Sequence, residues 1–407
     1  MFYLKKPISY SRQNIDKSDI KSVSKTLKSN FLTQGPKVEE FEKAINKFCR
    51  SPYAVACNSA TSALHIACMS IGLKKNDIIW TNPISFVASA NCALYCGAKV
   101  DYIDIDLNTF NVTFENFKKK IENTKKKKLP KILILVDYGG FPCDLDKIRY
   151  LAKKKNICII QDSSHSFGAK YKNSKIGDCK YSDITVFSFH PVKVITTGEG
   201  GVATTRNKKL YEKMQLYRTH GITKNKRSFK KKNYNNWYFE QQVLGYNYRM
   251  NDIEASLGIS QLKRINLNLK ERQKIAKKYH TKLHKKIIKI NVKKHVKSSY
   301  HLFPVLIDNE KLHFSRDELL IYLRKLNIYC QLHYIPIFEH PFHKISTKKK
   351  IDLFPNTLKF YKSAISLPMY YGLKSKEQNF VINKINSKVE NEYRNYYSQK
   401  RKPKIKK

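Results

Sequence analysis

No stretch of this sequence carries the apolar run of about 20 residues that a membrane-spanning helix needs. Its opening, MFYLKKPISYSRQNIDKSDI, lacks the apolar core of a secretory leader, so the expected location is cytoplasmic. Cysteine occurs nine times but in no framework. Cys49, Cys57, Cys68, Cys158 and Cys330 are irregularly spaced, and Cys92 and Cys96 have no His or Cys companions at zinc-site spacing. Reduced thiols and no metal site are expected. Internal repeats and Gly/Ser linkers are also missing. Acid is scarce: 32 Asp and Glu stand against 79 Lys and Arg, a formal net charge of +47.

Such a charge has two readings. One is an electrostatic footprint for nucleic acid, anionic lipid or an anionic substrate. The other is compositional drift, because Lys, Asn, Ile, Tyr and Phe are all abundant. The basic runs NTKKKKLPK (123–131), KNKRSFKKKNYNN (224–236) and SQKRKPKIKK (398–407) fall where loops or ends are expected. None interleaves aromatic and base-reading residues in a recognisable nucleic-acid motif, so drift is the better reading. Non-specific polyanion binding is then a side effect, with no specific nucleic acid and no membrane as partner.

What is present is a regular alternation. At 407 residues the chain exceeds one small core and suggests two domains. PKVEEFEKAINKFC (36–49) reads as an amphipathic helix with Val38, Phe41, Ala44, Ile45 and Phe48 on one face. SPYAVACNSATSALHIACMSIGL (51–73) reads as strand, Asn-Ser turn and helix. DIIWTNPISF (77–86) is a strand into a turn, and KVDYIDID (99–106), KILILVDYGG (131–140) and ICIIQDSSHS (157–166) are apolar strands ending at polar residues. VASANCALYCG and DLDKIRYLAKKKN (144–156) are the helices between them. The pattern predicts an α/β fold with a mostly parallel sheet covered on both faces. From about residue 253 a long helical stretch follows, then strands SSYHLFPVLI (298–307) and IYCQLHYIPIF (328–338) around the helix SRDELLIYLRKLN. These suggest a smaller domain with a helix-backed antiparallel sheet.

Ligands gather at the carboxyl ends of strands in such sheets, and the candidate chemistry falls there. SDITVFSFHPVKVITTGEGG (182–201) sets one lysine, Lys193, alone among apolar residues in a lysine-rich chain. A loop lysine with its head in water is the ordinary alternative to a desolvated nucleophile. Asp162 ends a buried strand, where a carboxylate needs a partner; a protonated ring nitrogen would serve, and helix capping is the plainer role. NSATSALH places hydroxyls and free N–H groups at a strand-to-helix turn fit for a phosphate. Ser188 brings a hydroxyl five residues before Lys193. Each signal is weak singly. Together they are the parts needed for pyridoxal phosphate (PLP).

FLTQGPKVEEFE (31–42), NSATSALH (58–65), DSSHSFGA (162–169), SFHPVKVITTGEGG (188–201) and LGYNYRMNDIEASLG (244–258) resemble the sugar aminotransferases of the DegT/DnrJ/EryC1/StrS family. The matches run in order over most of the chain. YSRQNIDKSDI (10–20), SQLKRINLNLKERQKIAKKY (260–279) and CQLHYIPIFEHPFHK (330–344) resemble its pseudaminic acid branch, which aminates a UDP-linked 2-acetamido-2,6-dideoxy-4-keto-L-hexose with L-glutamate as donor. The resemblance implies the aspartate aminotransferase-like fold (fold type I). It further implies an N-terminal segment (1–30), a large PLP-binding domain (31–255), a small C-terminal domain (256–393) and a basic tail (394–407).

Residue by residue, it makes Lys193 the lysine that condenses with the cofactor and Asp162 the partner of the pyridine nitrogen. Phe86 would stack on the ring, and His165 would bond near its phenolic oxygen. Ala60, Thr61 and Ser188 would form the phosphate cup. Asn247 would complete that cup from a neighbouring subunit, which implies a homodimer with shared sites. Tyr10, Asn30, Phe31, Leu32, Thr33, Gln331, Leu332, His333 and Tyr334 would meet the nucleotide sugar, beside Ala60, Ser188 and Asn247. Asp137 stands where the wider family often has His, and the basic segment 224–236 is long for the family. Lys193 is not the His of relatives that dehydrate. The alternatives are the same chemistry on a D-configured UDP or GDP sugar, or a basic, non-catalytic nucleic-acid-binding protein on this fold.

Overall fold

The computed structural model describes residues 6–343, 345 and 352–400, without the side chains of 395–400. Residues 1–5 of the expected N-terminal segment, Lys344, and 401–407 of the basic tail lie outside the described residues. Seven strands form the central sheet: β1 (Tyr53–Cys57), β2 (Ile78–Thr81), β3 (Lys99–Tyr102), β4 (Ile132–Val136), β5 (Cys158–Asp162), β6 (Ile184–Ser188) and β7 (Gly201–Thr205). Their order is β1-β7-β6-β5-β4-β2-β3. All run in parallel except β7, which is antiparallel to both β1 and β6. The all-apolar β4, ILILV, is buried throughout, as a strand covered on both faces must be.

Nine helices are named here: α1 (Lys17–Leu27), α2 (Pro36–Cys49), α3 (Ala60–Ile71), α4 (Ala88–Leu94), α5 (Phe114–Glu122), α6 (Leu145–Lys154), α7 (Lys208–Arg218), α8 (Asp252–Lys263) and α9 (Ile265–Lys282). Helices α3, α4 and α7 bury Leu64, Ile66, Cys92 and Met214 on one face of the sheet. Helices α2, α5, α6 and α8 bury Phe41, Ile45, Phe117, Ile148 and Ala255 on the other. The apolar stripe read on 36–49 is thus the buried side of α2. Among the described residues, no helix is long and apolar enough to cross a membrane.

A second sheet is antiparallel: β8 (Ile288–Lys289), β9 (Phe303–Leu306) and β10 (Ala364–Leu367), in the order β8-β9-β10. Its core draws in Ile8, Phe110 and Tyr138 from earlier in the chain, so the N-terminal segment packs with C-terminal residues. Two expectations needed correction. The stretch 328–338 is not a strand; it contributes only single bridges, Ile328 to Ile8 and Gln331 to Ser366, and the third strand is β10 instead. The long helix breaks at Arg264, whose guanidinium pairs with Asp16 and Asp19 of the α1 N-terminal region. All nine cysteines are free thiols. The basic segment 224–236 is borne by a hairpin whose two-residue strands are Ile222–Thr223 and Glu240–Gln241.

Candidate active site

The carboxyl ends of β1, β2, β4, β5 and β6 share one edge of the sheet, and the chemistry-bearing side chains leave from there. After Ser188 the chain turns out through 189–200 and returns as β7, pairing Gly201 with Ser188. Within this turn Lys193 N–H donates to the His190 carbonyl at 2.9 Å. No hydrogen bond or ion pair reaches the Lys193 ammonium among the described residues. Burial pulls its pKa from 10.5 down to about 8, and the Asp162 charge opposes that only in part.

Asp162, 5% exposed at the end of β5, uses both carboxylate oxygens. Oδ2 accepts from Ser89 Oγ at 2.6 Å, and Oδ1 accepts from Ser164 N–H at 3.1 Å and Ser164 Oγ at 2.6 Å. It therefore caps a turn, not a helix. In the loop that follows, His165 Nδ1 accepts from the Gly139 N–H at 3.2 Å. A backbone N–H only donates, so a neutral His165 carries its proton on Nε2, which faces Tyr334 Oη at 3.0 Å. Burial, with Lys193 and His333 nearby, holds His165 well below the usual histidine range, so the ring is neutral.

That loop rests on Asp137. The fully buried Asp137 carboxylate accepts from Gln161 Nε2 (2.8 Å), Ser163 Oγ (2.9 Å) and Ser166 Oγ (2.7 Å), bracketing Asp162 and His165. Desolvation lifts its pKa to about 6 against the pull of these donors. Asp137 thus braces the loop that carries Asp162 and His165.

At the end of β1, Ser59 caps α3, taking the Ser62 N–H on its hydroxyl. The first-turn N–H groups of Ala60 and Thr61 have no acceptor among the described residues. Gly201 passes so close that a Cβ there would lie 2.4 Å from Ala60 N, which excludes any side chain. The Ser188 hydroxyl has no hydrogen-bond partner among the described residues, and Asn58 Oδ1 is buried without one. These donors and gaps lie together at the strand ends.

Phe86 is 60% exposed, with its ring 6.3 Å from that of Tyr334. Tyr10 packs 5.2 Å from the His333 ring. His333 is held by Ser366 Oγ at 3.0 Å and, at its carbonyl, by Tyr138 Oη at 2.6 Å. Gln331 is exposed and Leu332 half-buried beside them. The chain does not bring every expected residue inward. Asn30, Phe31, Leu32 and Thr33 are exposed, and so is Asn247 on a segment paired with Thr219. Among the described residues, no hydrogen bond or ring contact joins these five to the Lys193 cluster.

Sequence reasoning missed Ser89, Tyr138 and His301. The His301 ring stands 4.4 Å from that of His165, with a buried Nδ1 that has no hydrogen-bond partner among the described residues. The YGG and YHLF strings contain two of these residues, but nothing in their spacing marks them. A basic groove of about 870 Å³ beside Asp77, Lys127, Lys131 and Lys155 lies at the opposite edge, where strands begin, and holds none of these groups. Among the described residues, no group of three or more His, Cys, Asp or Glu could hold a metal ion.

The donor set fits PLP. A buried carboxylate with no ion-pair partner among the described residues suits a protonated ring nitrogen, unsatisfied N–H and hydroxyl groups suit a phosphate, and a desolvated amine suits an aldehyde.

Comparison with known proteins agrees. The chain matches the DegT/DnrJ/EryC1/StrS aminotransferase family over residues 13–386. It is 40% identical over 393 residues to the UDP-4-amino-4,6-dideoxy-N-acetyl-beta-L-altrosamine transaminase of Campylobacter jejuni, covering 96% of this chain and 99% of that one. A Helicobacter pylori aminotransferase of pseudaminic acid biosynthesis superposes with a TM-score of 0.83 at 31% identity, covering 95% of this chain and all of that one. A Streptococcus pneumoniae sugar aminotransferase in its PLP form gives a TM-score of 0.84 at 26% identity over 95% and 99% of the two chains. The chain belongs to the DegT/DnrJ/EryC1/StrS aminotransferase family and is a PLP-dependent nucleotide-sugar aminotransferase.

Proposed function

We propose that this family member transfers the amino group of L-glutamate to a UDP-linked 2-acetamido-2,6-dideoxy-4-keto-L-hexose, giving UDP-4-amino-4,6-dideoxy-N-acetyl-beta-L-altrosamine for pseudaminic acid biosynthesis. The observation that carries it is the Lys193 amine, without a partner among the described residues and drawn to about 8 beside Asp162 and three neutral-leaning histidines. The 40% identity to the Campylobacter transaminase over nearly the whole chain supports the choice of sugar.

When bound, PLP supplies the aldehyde that carries the amino group and a conjugated ring that accepts the electron pair of the substrate carbon. The protein's residues do the rest. Asp162 would hold the proton on the ring nitrogen, and His165, whose Nε2 faces Tyr334 Oη, would lie near the phenolic oxygen. Ser188 with the Ala60 and Thr61 N–H groups would hold the phosphate, and Phe86 would stack on the ring. Lys193 Nζ, neutral in a useful fraction near pH 7, takes the proton from the glutamate α-carbon; in the second half-reaction it delivers one to C4 of the sugar. Tyr10, His333 and Tyr334 form the wall that the hexose meets. The exposed Asn247 and Asn30–Thr33 are positioned for a second copy or for the nucleotide. We read the working form as a cytoplasmic homodimer.

An absorbance titration tests this reading. The visible band of the PLP-loaded protein should bleach with glutamate and return with the L-configured UDP-4-keto sugar. A return driven better by a D-configured UDP or GDP ketosugar would keep the chemistry and replace the substrate. Failure of the protein to take up PLP would remove the reading and leave the non-catalytic alternative.

A further inference from the structure

We propose that Asn268 and Arg272, one turn apart on α9, are positioning residues that hold the Lys193 turn in place. Asn268 Nδ2 donates to the Val194 carbonyl at 2.5 Å, and Arg272 Nε donates to Asn268 Oδ1 at 2.9 Å, which fixes the amide's orientation. On the other flank, Ser11 Oγ donates to the Val192 carbonyl at 3.1 Å. Both carbonyls adjoining the reacting residue are therefore pinned by side chains from distant parts of the chain.

Arg272 is an unusual anchor. It is 1% exposed and has no carboxylate partner among the described residues. Its Nη1 is instead shared among the carbonyls of Tyr300 (3.1 Å), His301 (3.2 Å) and Met369 (3.1 Å). An unpaired buried guanidinium is costly, and a residue needed only for packing would serve better as an apolar one. Its hydrogen bonds show what the cation does. They tie α9 to the segment bearing His301, which packs on His165, and to Met369, whose N–H bonds the Tyr10 carbonyl at 2.9 Å. A cavity of about 10 Å³, room for one water molecule, lies between Lys193, Asn268, Arg272, Thr196 and Arg12. The Lys193 amine is thus held at a set depth between the histidine wall and this strut. The inference rests on the reading of Lys193 as the reacting amine.

The test uses the full-length protein freed of cofactor, titrated with an amine-acylating reagent while mass spectrometry follows the peptide that contains residue 193. The groups facing Lys193 are Asp162, His165, His190, His301, His333, Arg12 and Arg272. The decisive variant is therefore the charge-neutral Asn268→Leu. Wild-type labelling should have its midpoint near pH 8. Asn268→Leu should raise the midpoint by about one unit as water reaches the loosened turn. Arg272→Lys, which keeps the charge and loses the fork, should do the same. Ser11→Ala should move it about half as far, and it leaves α9 intact should Asn268→Leu fail to fold. Arg149→Met breaks the paired bonds to Asp183 at 2.7 and 2.9 Å and serves as the structural control; it should lower Tm with no change in midpoint. Unmoved midpoints in Asn268→Leu and Ser11→Ala, or an equal shift in Arg149→Met, would overturn the inference and leave the reading of Lys193 standing. A wild-type midpoint at the ordinary lysine value would overturn both.

Discussion

Among the many lysine-bearing loops of this molecule, two place the residue in opposite surroundings. The turn 189–200 holds one lysine among buried Val194, Ile195 and Thr196. The hairpin loop 224–239 holds Lys224, Lys226, Arg227, Lys230, Lys231 and Lys232, all exposed. That loop folds on a small aromatic cluster, Phe229, Tyr234 and Tyr238, with ring separations of 4.8, 5.1 and 5.6 Å. Trp237 beside it is 76% exposed. Six hydrated cations give that loop a field, and one desolvated amine gives the turn the group on which the proposed function rests. Desolvation, not abundance, separates a charge that steers from an amine that reacts.

The comparison can be broken most directly by exchanging outcomes. If the proposed function holds, Lys193→Ala should lower turnover by about 10⁴-fold or more, because nucleophile and proton carrier would go together. Lys226→Ala and Lys231→Ala should each stay within about twofold of the wild type, as hydrated surface charges do. Loss of activity in the hairpin variants equal to that of Lys193→Ala would end the distinction. Asp162→Ala should follow at about 10²-fold or more in kcat, with weaker retention of PLP measured by dialysis.

The next effect is on stability. Burial lowers the Lys193 pKa to about 8, so the folded, cofactor-free protein binds that proton less tightly than the unfolded chain. The resulting cost is fully present below pH 8 and is gone above about pH 10.5. Lys193→Met should therefore stabilise the cofactor-free protein at pH 7, by up to about 3 kcal/mol, and leave it unchanged at pH 11. Denaturant titrations at the two pH values check this. No exposed lysine of the hairpin should give such a pH-dependent gain.

Asp137 sharpens the same point with the opposite charge. Its pKa is raised to about 6, so its penalty is absent below the usual value of 3.8 and complete above pH 6. The wild type should lose up to about 3 kcal/mol across that window from this group, and Asp137→Asn should remove that slope from the stability profile. The smallest effect is expected at the hairpin: Lys230→Glu should change stability by less than about 0.5 kcal/mol.

The sequence was legible where local and global demands agree. Helix 36–49 matches its span because one apolar stripe both favours the helix and fills the core, and Asp162 stood out because an acid closes an apolar strand. The break at Arg264 was hidden, since no Gly or Pro marks it and its cause is pairing to Asp16 and Asp19 some 245 residues away. Stretch 328–338 has strand-like composition, yet β10 takes the place beside β9. Asn268, Arg272 and His301 act through bonds and packing between distant segments, which a periodicity along the chain cannot express.

The pairing of Ser188 with Gly201 also bears on the order in which the enzyme is assembled. A loop closed by neighbouring antiparallel strands needs only a short search, and its closure entropy grows slowly with length. Asp162 and Ser89 meet only after crossovers of the parallel sheet have docked, across 73 positions of chain. The turn that bears Lys193 can therefore close before Asp162 finds its place, so a refolding chain should form that loop ahead of the pocket around it.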